Sequence, residues 1–391
     1  MKLSHENNTF TATIIASCLL VGMIYLPIIR RMILTGYDYL IHVGLAEKML
    51  TTGEILTPHF LLQFAVAAIA AIFPVTVQTA TLSLLLIAVI ATAFVIARTI
   101  AKEISSPAVI LYLTAALLLA APLAVLFPFD KHLYLGYIGT NVFHNPTMLL
   151  LKPLALLSFG YAVTAIDNHT APQKSSWLLC GLITVACALT KPSFTICILP
   201  AMALLVLYRL FTKGSLSRNL LLFGFFLPAL LVLALQFRMT YGSSQIQGVY
   251  SGSSQIIFAP LAVMQTYSLW LPAKFLLSLT FPLALLLCYF RRVTKDTGLL
   301  LGWLAFFLGA AYTYLLAESG PRMLQGNFSW SAQITLFILF VHSARLLFGH
   351  ELSASNAGRY KFYLCNGVLL FHLVFGIAFY ISEFMHTERY W

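Results

Sequence analysis

Ionisable side chains are scarce: only 9% of the 391 residues are charged, against about 25% in an ordinary soluble domain. Carboxylates are scarcer still, with 12 Asp and Glu against 23 Lys and Arg. A soluble globular fold is excluded, because so few charges cannot cover a solvated surface. Three familiar chemical signatures are missing as well. There is no Gly-rich phosphate loop ending in Lys-Ser/Thr, no His-x-x-x-His pair and no Gly-x-Ser-x-Gly elbow. ATP-driven transport and zinc or serine hydrolysis therefore lack their motifs. The six cysteines (Cys18, Cys180, Cys187, Cys197, Cys288, Cys365) fall in apolar stretches without ligand spacing. They read as small packing residues, so neither a disulfide framework nor a zinc site is expected. Internal repeats, heptad arrays and low-complexity tracts are absent too.

What the chain has is apolar length. Hydrophobic residues make up 60% of it, the mean hydropathy is +0.90, and runs of about 18 to 24 apolar residues recur from end to end. The fold class expected is an all-α polytopic membrane protein forming one transmembrane domain over 1–391. Spans are placed at 10–29, 77–97, 107–127, 148–166, 177–190, 194–210, 220–237, 269–290, 299–317, 332–347 and 362–381. The first has no small-residue cleavage site after it and is read as retained. The run 59–73 ends at Pro74 and is too short to cross comfortably, so it is assigned to the interface. About eleven spans result, with the termini on opposite sides.

With the N-terminus in the cytoplasm, the cytoplasmic side holds thirteen of the 23 Lys and Arg. The positive-inside bias favours that orientation. The net charge of +11 has no contiguous basic face, which leaves membrane topology or an anionic lipid, and not nucleic acid, as its explanation. Three long external segments, 30–58, 129–147 and 238–268, and a shorter one, 318–331, carry the polar residues. Within them the Gly/Ser/Gln-rich stretch 241–255 is read as a mobile loop.

The segment after the first span is the most informative. If 39–51 is a helix, Asp38 takes the N-cap position and His42 lies one turn on. The pair is either an ordinary cap on a surface helix or two groups aimed into one cavity. Gly53 suits the helix stop, and Pro58 precedes the interfacial run. Farther on, His144 and Asn145 either cap the next span or bind acceptor hydroxyls or a phosphate, near Asp130. Lys152 lies one turn inside an apolar span, where a cation faces protein or a watery cavity. Lys191, between two short spans, invites the same argument. Arg322 is either the ion-pair partner of Glu318 or a planar fork for phosphate, with Asn327 close by. Trp330 is either an interfacial anchor or a stacking surface for a sugar. Arg30 and Arg31, placed just outside the first helix, are either headgroup anchors or part of a phosphate site.

In this order and spacing the chain resembles the GT-C superfamily of integral membrane glycosyltransferases. The residues that carry the resemblance are Asp38, then Ala46-Glu-Lys-Met49, Gly53-Glu54, Pro58-His59 and the short run to Phe73. Asn145-Pro146 stands where many members have Asp-Pro, and the stretch 181–194 resembles the family helix ending in Thr-Lys. The resemblance implies an external juxtamembrane helix pair after the first span, carried by the loop 30–76. It implies a polyprenyl-phosphate-linked sugar donor and a glycan, lipid or protein acceptor. Asp38 is then the general base, with His42 and His59 as polar helpers and Arg322, Lys191 and Lys152 neutralising the departing phosphate. The second acidic residue common in the family is replaced by Tyr39, which argues against a bound divalent metal; no cofactor is required. An inner membrane and an extracytoplasmic active site follow from the same reading. A transporter or flippase of a lipid-linked or anionic solute is the alternative from a different class, and a polysaccharide polymerase or ligase is a chemically close one.

Overall fold

The computed structural model describes residues 2–167, 174–212, 214–242, 254–349 and 356–385. Among them the regular secondary structure is helical apart from one short antiparallel ribbon. The first helix, α1 (Lys2–Thr35), is followed by α2 (Tyr37–Thr52) and α3 (Leu61–Ile72). Then come α4 (Val77–Ile100), α5 (Pro107–Leu119), α6 (Pro146–Ile166), α7 (Lys174–Thr190) and α8 (Thr195–Phe211). Helix α9 (Arg218–Gly242) contains one π-helical turn. Strand β1 (Ile256–Phe258), α10 (Leu271–Cys288), α11 (Thr297–Leu315), β2 (Leu316–Glu318), α12 (Ser329–Phe348) and α13 (Asn356–Met385) follow, with short helical turns at Phe127–Asp130, Ala262–Tyr267, Phe290–Val293 and Gly320–Gln325 between the longer elements. β1 pairs with β2, Ile257 opposite Ala317.

Among the described residues eight helices are long and apolar enough to cross a membrane: α1, α4, α6, α9, α10, α11, α12 and α13. The chain is thus a polytopic integral membrane protein. Helices α3, α5, α7 and α8 are apolar but shorter. Their exposed side chains are apolar too, for instance Phe64, Leu182 and Phe211, as expected where the solvent is hydrocarbon and not water.

Polar side chains collect in two layers at opposite ends of the bundle. At one end Arg345, closing α12, donates to Glu103 and to Asp296. Beside it Arg209, closing α8, donates to Asp167 after α6 and, at 2.9 Å, to Thr297 at the start of α11. At the other end lie the start of α6, the start of α12, the end of α11 and the α7–α8 turn. Helix α6, with 21 residues, separates the layers by about 30 Å at 1.5 Å per residue, the thickness of a hydrocarbon core.

Small residues let the helices meet closely. A Cβ on Gly309 of α11 would lie 2.7 Å from the Ser331 carbonyl of α12, and one on Gly376 of α13 would lie 1.8 Å from the Leu119 carbonyl. The latter contact explains a departure from the expected span 107–127. Helix α5 stops at Leu119, and the chain then runs irregularly because α13 takes over: His372 contributes its carbonyl to Ala121 N–H and its Nδ1 to the Ala121 carbonyl.

The first helix also departs from its expected limits. It runs on to Thr35, so Arg30 and Arg31 belong to α1 and not to an external loop. Arg31 sits over the Phe384 ring at 5.5 Å and donates to the Met385 carbonyl, while Arg30 is exposed. The expected mobile stretch 241–255 lies mostly outside the described residues.

Candidate functional site

The site is built where four helix starts and two turns meet. Helix α2 begins at Tyr37 because Gly36 leaves the helical region (φ −80°, ψ 124°) directly after its N–H closes α1 on the Met32 carbonyl. Asp38 is therefore not the N-cap, as the spacing suggests, but the second residue of the helix; no side chain caps it. Its carboxylate stays near the positive end of α2 and is free to make a long-range bond. Asn145 supplies it, donating from Nδ2 to Asp38 Oδ2 at 2.7 Å.

Asn145 also performs the capping role. Its Oδ1 accepts from Met148 N–H at 3.1 Å and from the Thr147 hydroxyl at 2.6 Å. The cap fixes which way the amide faces, so the NH₂ end must point at Asp38. Thr147 in turn accepts from Lys191 Nζ at 3.2 Å, and Lys191 Nζ lies 4.4 Å above the Trp330 ring. A continuous chain thus joins the carboxylate to the cation: Asp38, Asn145, Thr147, Lys191, Trp330. His144 completes this side, edge-on to Tyr134 at 4.3 Å and 5.7 Å from Trp330 between ring centres. Its Nδ1 is buried without a partner.

Lys191 also lies near enough to His42 and His59 for its charge to act on both. Helix α2 ends where expected, at Gly53 in the left-handed region (φ 73°), and the turn that follows brings His59 back over it. His42 Nδ1 lies 2.5 Å from Gln63 Nε2 of α3, and His59 Nδ1 lies 3.5 Å from the Thr57 hydroxyl. Burial, reinforced by Lys191 and opposed by Asp38, brings the His42 imidazole down to about 4. Burial and the cations Lys191 and Arg322 hold His59 well below its usual value. His144, buried and pulled upward by Asp38 but downward by Lys191, also sits at about 4. All three are neutral at pH 7. Lys191 is drawn down to about 8 by burial, against the pull of Asp38, and keeps its charge at pH 7.

Because these histidines charge readily once unfolded and only with difficulty when folded, acid should destabilise the protein. Between about pH 6.5 and 4 the unfolded chain takes up protons that the folded chain refuses, so stability falls with pH across that window. A melting series in detergent should show this decline. The double variant His42→Gln/His144→Gln should flatten it; an unchanged slope would show that other groups are responsible.

Arg322 is engaged by Glu318 at 2.9 Å. The same carboxylate accepts from Tyr241 at 3.1 Å and from Asn327 Nδ2 at 2.5 Å. The ion-pair reading of the sequence is thus realised, and Arg322 remains close enough to His59 to influence it. Trp330 presents a face to Lys191, which explains its place without a stacked sugar.

Two expected members lie elsewhere. Lys152 donates to Asn141 Oδ1 at 2.5 Å and sits 4.5 Å above Phe337, with Asn141 anchored by the Leu117 and Ala120 carbonyls. That cation secures the irregular segment after α5. Asp130 pairs with Lys274 of α10 at 2.5 Å, and Lys274 also donates to the His132 carbonyl and Ser268. Burial works against the Asp130 carboxylate, but bonds from Lys274 and from the His132 and Leu269 N–H groups hold its pKa below the usual range. Lys274 is fully buried; removing one partner of such a pair costs about 3 to 5 kcal/mol. Lys274→Ala should therefore lower the melting temperature sharply, and Lys274→Ala/Asp130→Asn should recover part of the loss. A melting curve equal to wild type for the single variant would contradict the pair.

Sequence reasoning missed Gln63, Thr147, Gln236, Asn141 and Lys274. The available signal was a lone polar residue inside an otherwise apolar helix, as for Gln63, Gln236 and Lys274. Among the described residues no group of three or more His, Cys, Asp or Glu converges as metal ligands. No protein-family model matches the chain, and no curated protein matches its sequence.

Proposed function

We propose that the chain is a membrane glycosyltransferase of the GT-C kind, moving a sugar from a polyprenyl-phosphate donor to an extracytoplasmic acceptor. The observation that carries the reading is the linked chain from Asp38 through Asn145 and Thr147 to Lys191. It sets a carboxylate beside a buried cation at one end of the bundle, among the N-termini of α2, α6, α8 and α12. Such a place favours anions, because helix starts expose N–H groups and positive partial charge.

In the proposed reaction an acceptor hydroxyl attacks the anomeric carbon. The new carbon–oxygen bond forms as the bond to the phosphate oxygen breaks, the hydroxyl proton passes to the Asp38 carboxylate, and the phosphate leaves on its lipid. Lys191, with Arg322 beyond His59, balances the charge that grows on that phosphate. The neutral imidazoles of His42, His59 and His144 supply hydrogen bonds without adding charge. Phosphate is a good leaving group, so a single base suffices and the configuration inverts.

The proposed topology has eleven spans, the eight long helices plus α5, α7 and α8, with α2 and α3 on the outer surface and the N-terminus in the cytoplasm. Both ends of α3 favour its interfacial placement. Pro58 before it accepts from Gln236, and Gln78 just after it reaches Glu47 of α2. Its 12 residues extend only about 18 Å. A cysteine at Val75 should react with an impermeant maleimide from outside intact cells; labelling only after the inner face is exposed would reverse the topology.

A transporter is the competing reading. Transporters bind near mid-membrane, between discontinuous helices, whereas this cluster sits at one end. The donor class is tested by native mass spectrometry in nanodiscs. Retention of an added polyprenyl phosphate is expected, and its absence from the wild-type protein would remove that carrier from the account.

A further inference from the structure

Two amide side chains next to the cluster are more buried than their partners justify. Gln236, on α9, is buried, and its Nε2 donates to the Pro58 carbonyl at 3.0 Å and to the Ala188 carbonyl at 2.7 Å. Both partners are acceptors, so the amide cannot be turned over. Its Oε1 faces away from them, buried and without a partner. Pro58 immediately precedes His59, and Ala188 lies three residues before Lys191, so the Gln236 amide joins the two segments that carry the site, with its nitrogen bound to both and its oxygen left over.

Gln63, on α3, is wholly buried and bonds only His42 Nδ1; its Oε1 has no partner. Whichever way that amide is turned, one of its ends remains unsatisfied. An unpaired buried amide is costly, and two of them flanking one pair of neutral histidines signal a ligand that brings hydrogen-bonding groups of its own.

We infer that Gln236 and Gln63 form the subsite for the sugar of the donor, and that this sugar is an uncharged, hydroxyl-rich one. The inference rests on the glycosyltransferase reading and deepens it. A fixed carbonyl oxygen accepts from a hydroxyl but repels a carboxylate in contact with it, and with Arg322 paired to Glu318 and Lys191 assigned to the carrier phosphate no cation is left to hold a uronic acid. Lys191, whose charge is felt at both His42 and His59, disfavours an ammonium, which argues against an amino sugar. Neutral hydroxyls satisfy both restrictions, and the neutral imidazoles of His42 and His59 can pair with the remaining ones. Gln236 is thus assigned as a specificity-determining residue, held in place by two main-chain carbonyls.

The experiment is equilibrium binding to wild-type and Gln236→Leu protein in nanodiscs. Four probes are compared: bare polyprenyl phosphate and polyprenyl-phosphate carrying a neutral hexose, a uronic acid or an amino sugar. Wild type should bind the neutral-hexose form most tightly. Gln236→Leu should weaken that binding by about 10- to 100-fold, the loss of hydrogen bonds to a buried acceptor, while leaving the bare carrier unchanged. Equal loss of bare carrier would show that Gln236 only holds the site together, and would overturn the assignment. Preference of wild type for either charged sugar would overturn it without any variant. If wild type binds none of the four, the glycosyltransferase reading itself fails, and the inference with it.

Discussion

Asp38→Asn is expected to abolish nearly all sugar transfer, lowering the rate by about 10² to 10⁴-fold, the usual consequence of losing a general base. The structure makes this substitution unusually clean. Asp38 is not the cap of α2, so capping is untouched. The new amide still offers an oxygen to Asn145 Nδ2, which now reaches Asp38 at 2.7 Å. What is lost is the negative charge near a helix start, about 0.3 to 1 kcal/mol of stability, and the ability to accept a proton. Melting temperature and carrier binding should therefore stay close to wild type while turnover collapses. Near wild-type turnover in a preparation of matched stability would take Asp38 out of the mechanism.

The second large effect is expected at Lys191. Lys191→Met keeps a long apolar stem over Trp330 but removes the ammonium. If that charge stabilises the departing phosphate, the transfer rate should fall by about 10² to 10³-fold, as for loss of a preorganised electrostatic group. Affinity for bare polyprenyl phosphate should fall as well. The fold should suffer little, because Lys191 is in no direct ion pair: its ammonium bonds the Thr147 hydroxyl and lies over Trp330, so its removal strands no partner charge and relieves the cost of burying its own. A variant that melts at or above the wild-type temperature but neither binds carrier nor turns over is the expected combination. Unchanged carrier affinity would move the phosphate to Arg322 and its Glu318 partner.

The two lysines singled out in the sequence illustrate what was legible. Lys152 lies within an apolar helix and Lys191 borders one, and both must face protein. Only the fold distinguishes the lysine that anchors Asn141 from the one that joins the Asp38 chain. Hydrophobic length located the helices well, because a bilayer demands a fixed number of apolar residues. Their ends were less legible: α1 runs past Arg30 and Arg31, where the long stem of Arg31 carries its charge to the Phe384 ring and the Met385 carbonyl and Arg30 is exposed. Asp38, His42, His59, Asn145 and Lys191 were visible because charged, imidazole and Asn-Pro positions stand out in so apolar a chain. Gln63 and Gln236 did not stand out. An uncharged polar residue within a hydrophobic run looks the same whether it satisfies a backbone carbonyl, faces a neighbouring helix or reads a ligand. The β1–β2 ribbon, three residues a side, is too short to leave any alternation in the sequence.

Chemistry and translocation at the Asp38 to Lys191 chain are told apart in proteoliposomes loaded with a polyprenyl-phosphate-linked sugar, supplied with candidate acceptors and analysed by mass spectrometry for free polyprenyl phosphate. Wild-type protein should release the free carrier phosphate, and Asp38→Asn protein, at equal density in the membrane, should release it at least 100-fold more slowly. Movement of the intact sugar-bearing lipid between leaflets, with no carrier released and with equal rates for the two proteins, would contradict the glycosyltransferase reading.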